Sequence, residues 1–126
     1  MIVVDSCGWL EWFSGSRRGE LYRQAFQDPR DLLVPVLCLI EVFRTIARQK
    51  GESMALDAVG IMNQVDVVPL TAEDAVEVAR LGLLHRLPLA DSTIYAVARR
   101  RGAEVWTHDE HFRGLPGVRF VEAPHD

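Results

Sequence analysis

The chain has 126 residues, 48% of them hydrophobic and 25% charged, with a formal net charge of −4. That length allows one domain with a real core and excludes two, and the acidic balance excludes a protein that binds nucleic acid through bulk positive charge. Every apolar run is interrupted by a charged residue before it reaches membrane-spanning length, and Asp5 comes too early for a signal peptide. A cytoplasmic protein is the resulting expectation.

The first predicted element is a strand. Met1-Ile2-Val3-Val4 is a short, mostly β-branched apolar run that ends on Asp5. Such a run reads as a buried strand of a parallel sheet, and an acid directly after it sits at the sheet edge where ligands collect. Ser6 to Ser14 then reads as a helix capped by Ser6 and ended by Gly15, and Arg17 to Gln27 as a second helical stretch closed by Asp28-Pro29. Leu32 to Val34 is a second strand, stopped by Pro35. Val36 to Lys50 is the longest predicted helix, with Gly51 past its end. Its stripe is Leu39, Val42, Phe43 and Ile46. Its first turns are apolar almost all round, which predicts burial on every side there. Glu41 follows on the face opposite the stripe.

Ser53 to Val65 reads as a helix capped by Ser53, and Val67-Val68 as a third strand ended by Pro69. Thr71 and Asp74 form a capping-box pattern opening a helix to about His85, with Ala75, Val76, Val78, Ala79 and Leu83 expected inward. Ala90-Asp91-Ser92-Thr93 opens the next helix. Arg99, Arg100 and Arg101 fill its last turn, where the helix dipole favours cations, and Gly102 ends it. Glu104 to Trp106 is a fourth strand leading into Thr107-His108-Asp109, Val118 to Val121 a fifth, and 123–126 a frayed tail. Strands alternating with helices mean crossover connections and a mainly parallel sheet covered on both faces, in one domain spanning 1–126.

The chemistry lies in the acids. Asp5 and Asp109 follow strands, and Asp91 opens a helix. In a parallel sheet all three face one edge, and Glu41 could join them. Each has an ordinary explanation alone: a helix-start acid, a loop acid, a solvated glutamate. Asp5 is the hardest to explain that way, because an acid against a buried strand is costly without a partner. Two carboxylates about 4 Å apart repel by ~4 kcal/mol at an effective dielectric of ~20. A cluster therefore needs raised pKa values or a cation. All-oxygen ligation selects Mg²⁺ or Mn²⁺. Thirteen of the fourteen basic residues are arginine. Arginines at the margins of an acidic centre suit an enzyme acting on phosphodiesters, and equally suit surface ion pairs. Cys7 and Cys38 are too few for a disulfide framework and read as two small buried thiols.

Val3-Val4-Asp5-Ser6, Glu41, Leu89-Ala90-Asp91-Ser92-Thr93-Ile94-Tyr95-Ala96 and Trp106-Thr107-His108-Asp109-Glu110-His111-Phe112 together resemble the signature blocks of PIN domains. Their order, spacing and the overall length are closest to the VapC-type toxins of toxin–antitoxin pairs. The resemblance implies a three-layer α/β/α fold with about five strands and Mg²⁺- or Mn²⁺-dependent endoribonuclease activity. It also implies homodimers and neutralisation by a small antitoxin. Carried over by position, it makes Asp5, Glu41, Asp91 and Asp109 the acidic quartet, with Asp5 and Asp91 the most direct ligands, and Ser6 and Thr107 supporting hydroxyls. Ser92 departs from the alanine common there, and His108 falls at a variable position. Arg44 and Arg48 share a helix face with Glu41 and are candidates for RNA phosphates.

Other readings fit less well. His108 and His111 lack the four-residue spacing of HExxH, so structural or outer roles suit them better than zinc ligation. A haloacid-dehalogenase-type phosphotransferase needs an aspartate where Cys7 stands, and a receiver domain needs a lysine late in the sheet, whereas the only lysine is Lys50. A PIN-like RNA-processing nuclease outside toxin–antitoxin systems, or a domain that binds without cleaving, remains the alternative. Trp9, Trp12 and Phe13, and the helix with Met54, Leu56, Ile61 and Met62, serve either core packing or a partner.

Overall fold

A computed structural model describes residues 1–124. Five strands, β1 (Ile2–Val4), β2 (Leu32–Pro35), β3 (Asp66–Val68), β4 (Glu104–Thr107) and β5 (Val118–Phe120), form one sheet in the order β3-β2-β1-β4-β5. Every pairing is parallel, with Ile2 opposite Leu32 and Val4 opposite Trp106. The six α-helices are α1 (Ser6–Ser14), α2 (Arg17–Glu20), α3 (Val36–Lys50), α4 (Glu52–Met62), α5 (Ala72–His85) and α6 (Leu89–Arg100). Crossovers from β1 to β2 to β3 move one way across the sheet, and the β3-to-β4 crossover returns over β2 and β1. Right-handed connections then put the first helices on one face and α5 and α6 on the other, a three-layer α/β/α sandwich. No helix among the described residues is long and apolar enough to cross a membrane.

The core lies where the central strands meet α3 and α6. Val3, Val4, Val34 and Val105 are fully buried, as a parallel sheet covered on both faces requires, and so are Cys38, Val42 and Ile94 from the helices. Gly8 sits where α1 crosses β1. A Cβ there would lie 2.6 Å from both Val4 and the buried Tyr22 ring, so only glycine lets the helix approach this closely. Trp9 is buried, and Trp9 and Trp12 both pack on Phe26, with ring centroids 4.7 and 4.9 Å away. Core packing thus accounts for most of that aromatic group.

Several expectations are corrected. Arg17 to Gln27 is not one helix. It breaks into α2 and a 3₁₀ turn, Arg23–Phe26, with Tyr22 directed into the core between them. Asp5, not Ser6, caps α1, and Gly51, not Ser53, precedes α4, which ends at Met62. The start of α3 is not buried on every side, since Ile40 is 50% exposed. On α5 the inward residues are Asp74 and Val78, while Ala75, Val76, Ala79 and Leu83 are exposed. The capping box is formed as expected, but the Asp74 carboxylate also pairs with Arg100 and Arg101 at 3.0 and 3.3 Å. Those pairs turn the Asp74 side of α5 toward α6, and they commit two of the clustered arginines to a structural role. Of the expected tail, Ala123 and Pro124 carry no regular structure, and 125–126 lie outside the described residues.

The same helix pair sets the start of α6. Ser92 is buried, and its hydroxyl donates to the Leu87 and Pro88 carbonyls at 3.2 and 2.9 Å, so serine is accommodated where alanine is common. A Cβ on Gly82 would lie 2.5 Å from that hydroxyl oxygen. Gly82→Ala is therefore expected to destabilise the fold by about 1–3 kcal/mol through overpacking. In a Ser92→Ala background the contact with the hydroxyl is gone and only a 3.2 Å approach to the residue-92 Cβ remains, so the cost of Gly82→Ala should shrink, offset further by alanine's better helix propensity, worth up to ~1 kcal/mol. Chemical denaturation of the four proteins checks the coupling; equal effects of Gly82→Ala in both backgrounds would exclude this contact as the cause.

Candidate active site

The site is built from the register of two strands. Val4 pairs with Trp106, and the Asp5 N–H donates to the Trp106 carbonyl at 3.0 Å. One step further, Asp5 meets Thr107. The Thr107 hydroxyl donates to Asp5 Oδ2 at 2.7 Å, and Thr107 Oγ1 itself accepts the Asp109 N–H at 3.0 Å. Thr107 is fully buried, and this one hydroxyl links both strand-end acids. Asp5 Oδ1 accepts the Ser6 N–H at 2.8 Å, which orients the carboxylate at the start of α1. The Cys7 thiol lies 3.6 Å from Asp5 Oδ2, and burial and the Asp5 charge push its pKa up to about 12, so it is an inert neutral thiol.

The remaining acids come from helix starts. Asp91 is in the first turn of α6, a helix whose next seven residues, Ser92 to Ala98, are buried. Glu41 lies in the second turn of α3 and is half-buried rather than solvated. Its Oε1 is buried and has no hydrogen-bond partner among the described residues. Burial is the main cause of a raised pKa at Asp5, Glu41 and Asp91. At Asp5 the charge of Asp109 adds to it, and the Thr107 and Ser6 hydrogen bonds offset part. At Glu41 the charge of Asp5 adds, with Ser6 and Arg44 opposing. At Asp91 burial, then Asp109 and Asp5, push the pKa to about 7, with His111 opposing. The four carboxyls thus share one field at one sheet edge.

His111 is the residue the sequence reading set aside. Asp109 caps a 3₁₀ turn, Glu110–Phe112, and its Oδ1 accepts the His111 N–H at 3.0 Å. The His111 Nδ1 atom lies 2.9 Å from Asp109 Oδ1 and 3.3 Å from Asp91 Oδ2. Asp91, Asp109 and His111 offer ligand atoms that all lie within 4.8 Å of one another, the one such group among the described residues. Asp5 and Glu41 are outside that tight group. The available signal was Asp109-x-His111, since an aspartate capping a short turn holds the residue two places on beside its own carboxylate. His108 behaves as expected, outside the cluster: its Nδ1 lies 2.7 Å from the hydroxyl of buried Tyr22.

These residues fit a hard divalent cation. The donors are carboxylate oxygens and one imidazole nitrogen, the carboxyls are held against their charges, and a buried glutamate oxygen lacks a partner. Arg44 and Arg48 are exposed on α3, Arg44 near enough to Glu41 for its charge to oppose the rise of that pKa, and neither forms an ion pair among the described residues.

The family model described as PIN domain matches residues 2–118. No curated protein matches the sequence. Among solved structures, a toxin–antitoxin complex from Klebsiella pneumoniae superposes with a TM-score of 0.80 at 22% identity, covering 97% of this chain and 98% of that one. Mycobacterium tuberculosis VapC20, a sarcin–ricin-loop-cleaving toxin, gives 0.75 at 24% identity over 94% and 99%. VapBC2 from Rickettsia felis, bound to a fragment of its promoter DNA, gives 0.73 at 13% identity over 97% and 100%. At these identities the likeness is one of fold.

The raised pKa of Asp91 has a pH consequence with a definite sign. Unfolded, Asp91 releases its proton near 3.8; folded, it does so near 7. Between those values the folded state holds a proton that the unfolded state lacks. The stability from this group is complete below the unfolded pKa and is lost as pH rises through the folded one. In EDTA, the wild-type Tm is expected to fall more steeply between about pH 5 and about pH 8 than that of Asp91→Asn. Millimolar Mg²⁺ or Mn²⁺ should raise Tm at the upper pH and have little effect at the lower. Equal slopes in both proteins, with no response to either ion, would contradict the site.

Proposed function

Because the chain belongs to the PIN-domain family, we propose that it is a Mg²⁺- or Mn²⁺-dependent endoribonuclease, the toxin of a toxin–antitoxin pair. The observation that carries this reading is the convergence of Asp5, Glu41 and Asp91, with Asp109, on one sheet edge, where burial and mutual repulsion hold three of their pKa values up. Such an arrangement is unfavourable until a cation joins it. The toxin–antitoxin complex among the similar solved structures, and the sarcin–ricin-loop-cleaving toxin with it, support the toxin role and a nucleolytic activity.

A bound divalent ion supplies Lewis acidity toward a phosphodiester oxygen and lowers the pKa of a water. Asp5, Asp91 and Asp109 hold the ion, with Thr107 and Ser6 fixing Asp5. Glu41 either completes the ligation or, through its unpartnered Oε1, accepts a proton as the phosphodiester is hydrolysed. Arg44 and Arg48 lie three and seven residues after Glu41 on α3, hence on the same helix face. We read them as the candidates for contact with the backbone phosphates of RNA.

Two exposed apolar surfaces support the protein partners. Leu10, Phe13, Ile46, Met54, Ala58 and Ile61 line a cleft between α1, α3 and α4, suited to a segment of the antitoxin. Ile40, Leu83, Leu84 and Leu89 expose a separate apolar face that suits a second copy in a homodimer.

Asp5→Asn tests the reading. The variant should keep the fold, because asparagine has the same shape: its oxygen can still accept the Ser6 N–H, and its NH2 can donate to the Thr107 oxygen once that hydroxyl turns. Cleavage of total RNA by purified protein should fall by at least about a hundredfold, the upper range for losing even a group that supports a metal ligand. EDTA should abolish wild-type cleavage. A folded Asp5→Asn protein that still cleaves RNA and arrests growth would sink the mechanism.

A further inference from the structure

We propose that the ion at this site takes a nitrogen ligand, His111 Nδ1, beside the carboxylates of Asp91 and Asp109, and that this nitrogen shifts the site's preference from Mg²⁺ toward Mn²⁺. The inference rests on the metal-dependent reading above and deepens it. His111 is held in place from two directions: its backbone N–H is fixed on Asp109 Oδ1, and its neighbour Phe112 is fully buried. The ring is therefore presented to the acids by the turn, although the side chain is 55% exposed.

The distances have the size of a coordination sphere. Ligands at right angles on an ion with ~2.1 Å bonds lie ~3.0 Å apart, and opposite ligands ~4.2 Å apart. His111 Nδ1 lies 2.9 and 3.3 Å from the two carboxylate oxygens, and no pair among the three atoms exceeds 4.8 Å. A simple ion pair explains this less well. Nδ1 carries at most one hydrogen, which can point straight at only one of the two oxygens. Three atoms bearing lone pairs converge around at most one such hydrogen, which is the geometry a cation completes. The donor set then decides the metal. Oxygen-only sites suit Mg²⁺, whereas an imidazole nitrogen favours ions further along the first transition row, and Mn²⁺ accepts both donor types.

Pulsed electron paramagnetic resonance on the Mn²⁺-loaded full chain reads a directly bound nitrogen. Wild type and His108→Ala are expected to show histidine nitrogen coupling, and His111→Ala to lose it. Isotope-labelled histidine in the wild-type chain should shift the coupling, a readout that needs no variant. Competition between the two ions should show the ratio of Mn²⁺ to Mg²⁺ affinity falling about tenfold in His111→Ala. Mn²⁺ bound without nitrogen coupling, or an unchanged affinity ratio, would overturn the ligand role and leave the carboxylate site standing. A wild-type chain that binds no Mn²⁺ would overturn both.

Discussion

One hydroxyl organises this molecule. Thr107 Oγ1 donates to Asp5 Oδ2 and accepts from the Asp109 N–H, at the single point where β1 and β4 both end. A fully buried threonine has no water to fall back on, so both hydrogen bonds are effectively obligatory. They fix the orientation of one carboxylate and the backbone path of another. The parallel register sets up the meeting: with Val4 opposite Trp106, the next residue of each strand must meet the other. A one-residue slip would put Thr107 on the wrong face and disperse the acids.

The site is held in a state that favours folding over charge. Asp5 is buried with its hydrogen bonds made, yet burial still outweighs them and raises its pKa. Glu41 and Asp91 feel Asp5 as well as their own desolvation. The scaffold thus gathers these carboxyls at some cost in stability, which a cation bound as proposed would offset. Positive charge is kept elsewhere in the fold: Arg100 and Arg101 are committed to Asp74, and Arg113 to Glu110 and Glu122. Arg44 and Arg48 on α3 are exposed, and the charge of Arg44 reaches Glu41.

Much of this was legible in the sequence. The apolar run into Asp5, the helix from Val36 to Lys50 and the Thr71–Asp74 box come from local rules, and the structure has each of them. Alternation of strands and helices was enough for a parallel sheet, and strand-end acids pointed to the edge where Asp5 and Asp109 are linked through Thr107. What failed depended on tertiary partners. Periodicity alone turned Val76 and Leu83 inward, but α5 is oriented by the ion pairs of Asp74 with α6. Helix-face reasoning made Glu41 solvated, but α3 crosses close to Asp5. Tyr22 breaks a predicted helix because the core beneath Gly8 takes its ring. His111 was set aside for lacking a familiar spacing, yet the short turn capped by Asp109 delivers it to Asp91, twenty positions away in the chain, as no sequence interval could.

The most direct test of the central claim, that these acids form one cation site, is a crystal structure of the full chain grown with Mn²⁺ and measured at an X-ray energy where manganese scatters anomalously. The predicted result is a single strong anomalous peak at the sheet edge, about 2.0–2.3 Å from carboxylate oxygens of Asp91 and Asp109 and within reach of Asp5 and Glu41, directly or through water. Well-ordered carboxylates with no anomalous density between them, or manganese bound only at the molecular surface, would contradict it.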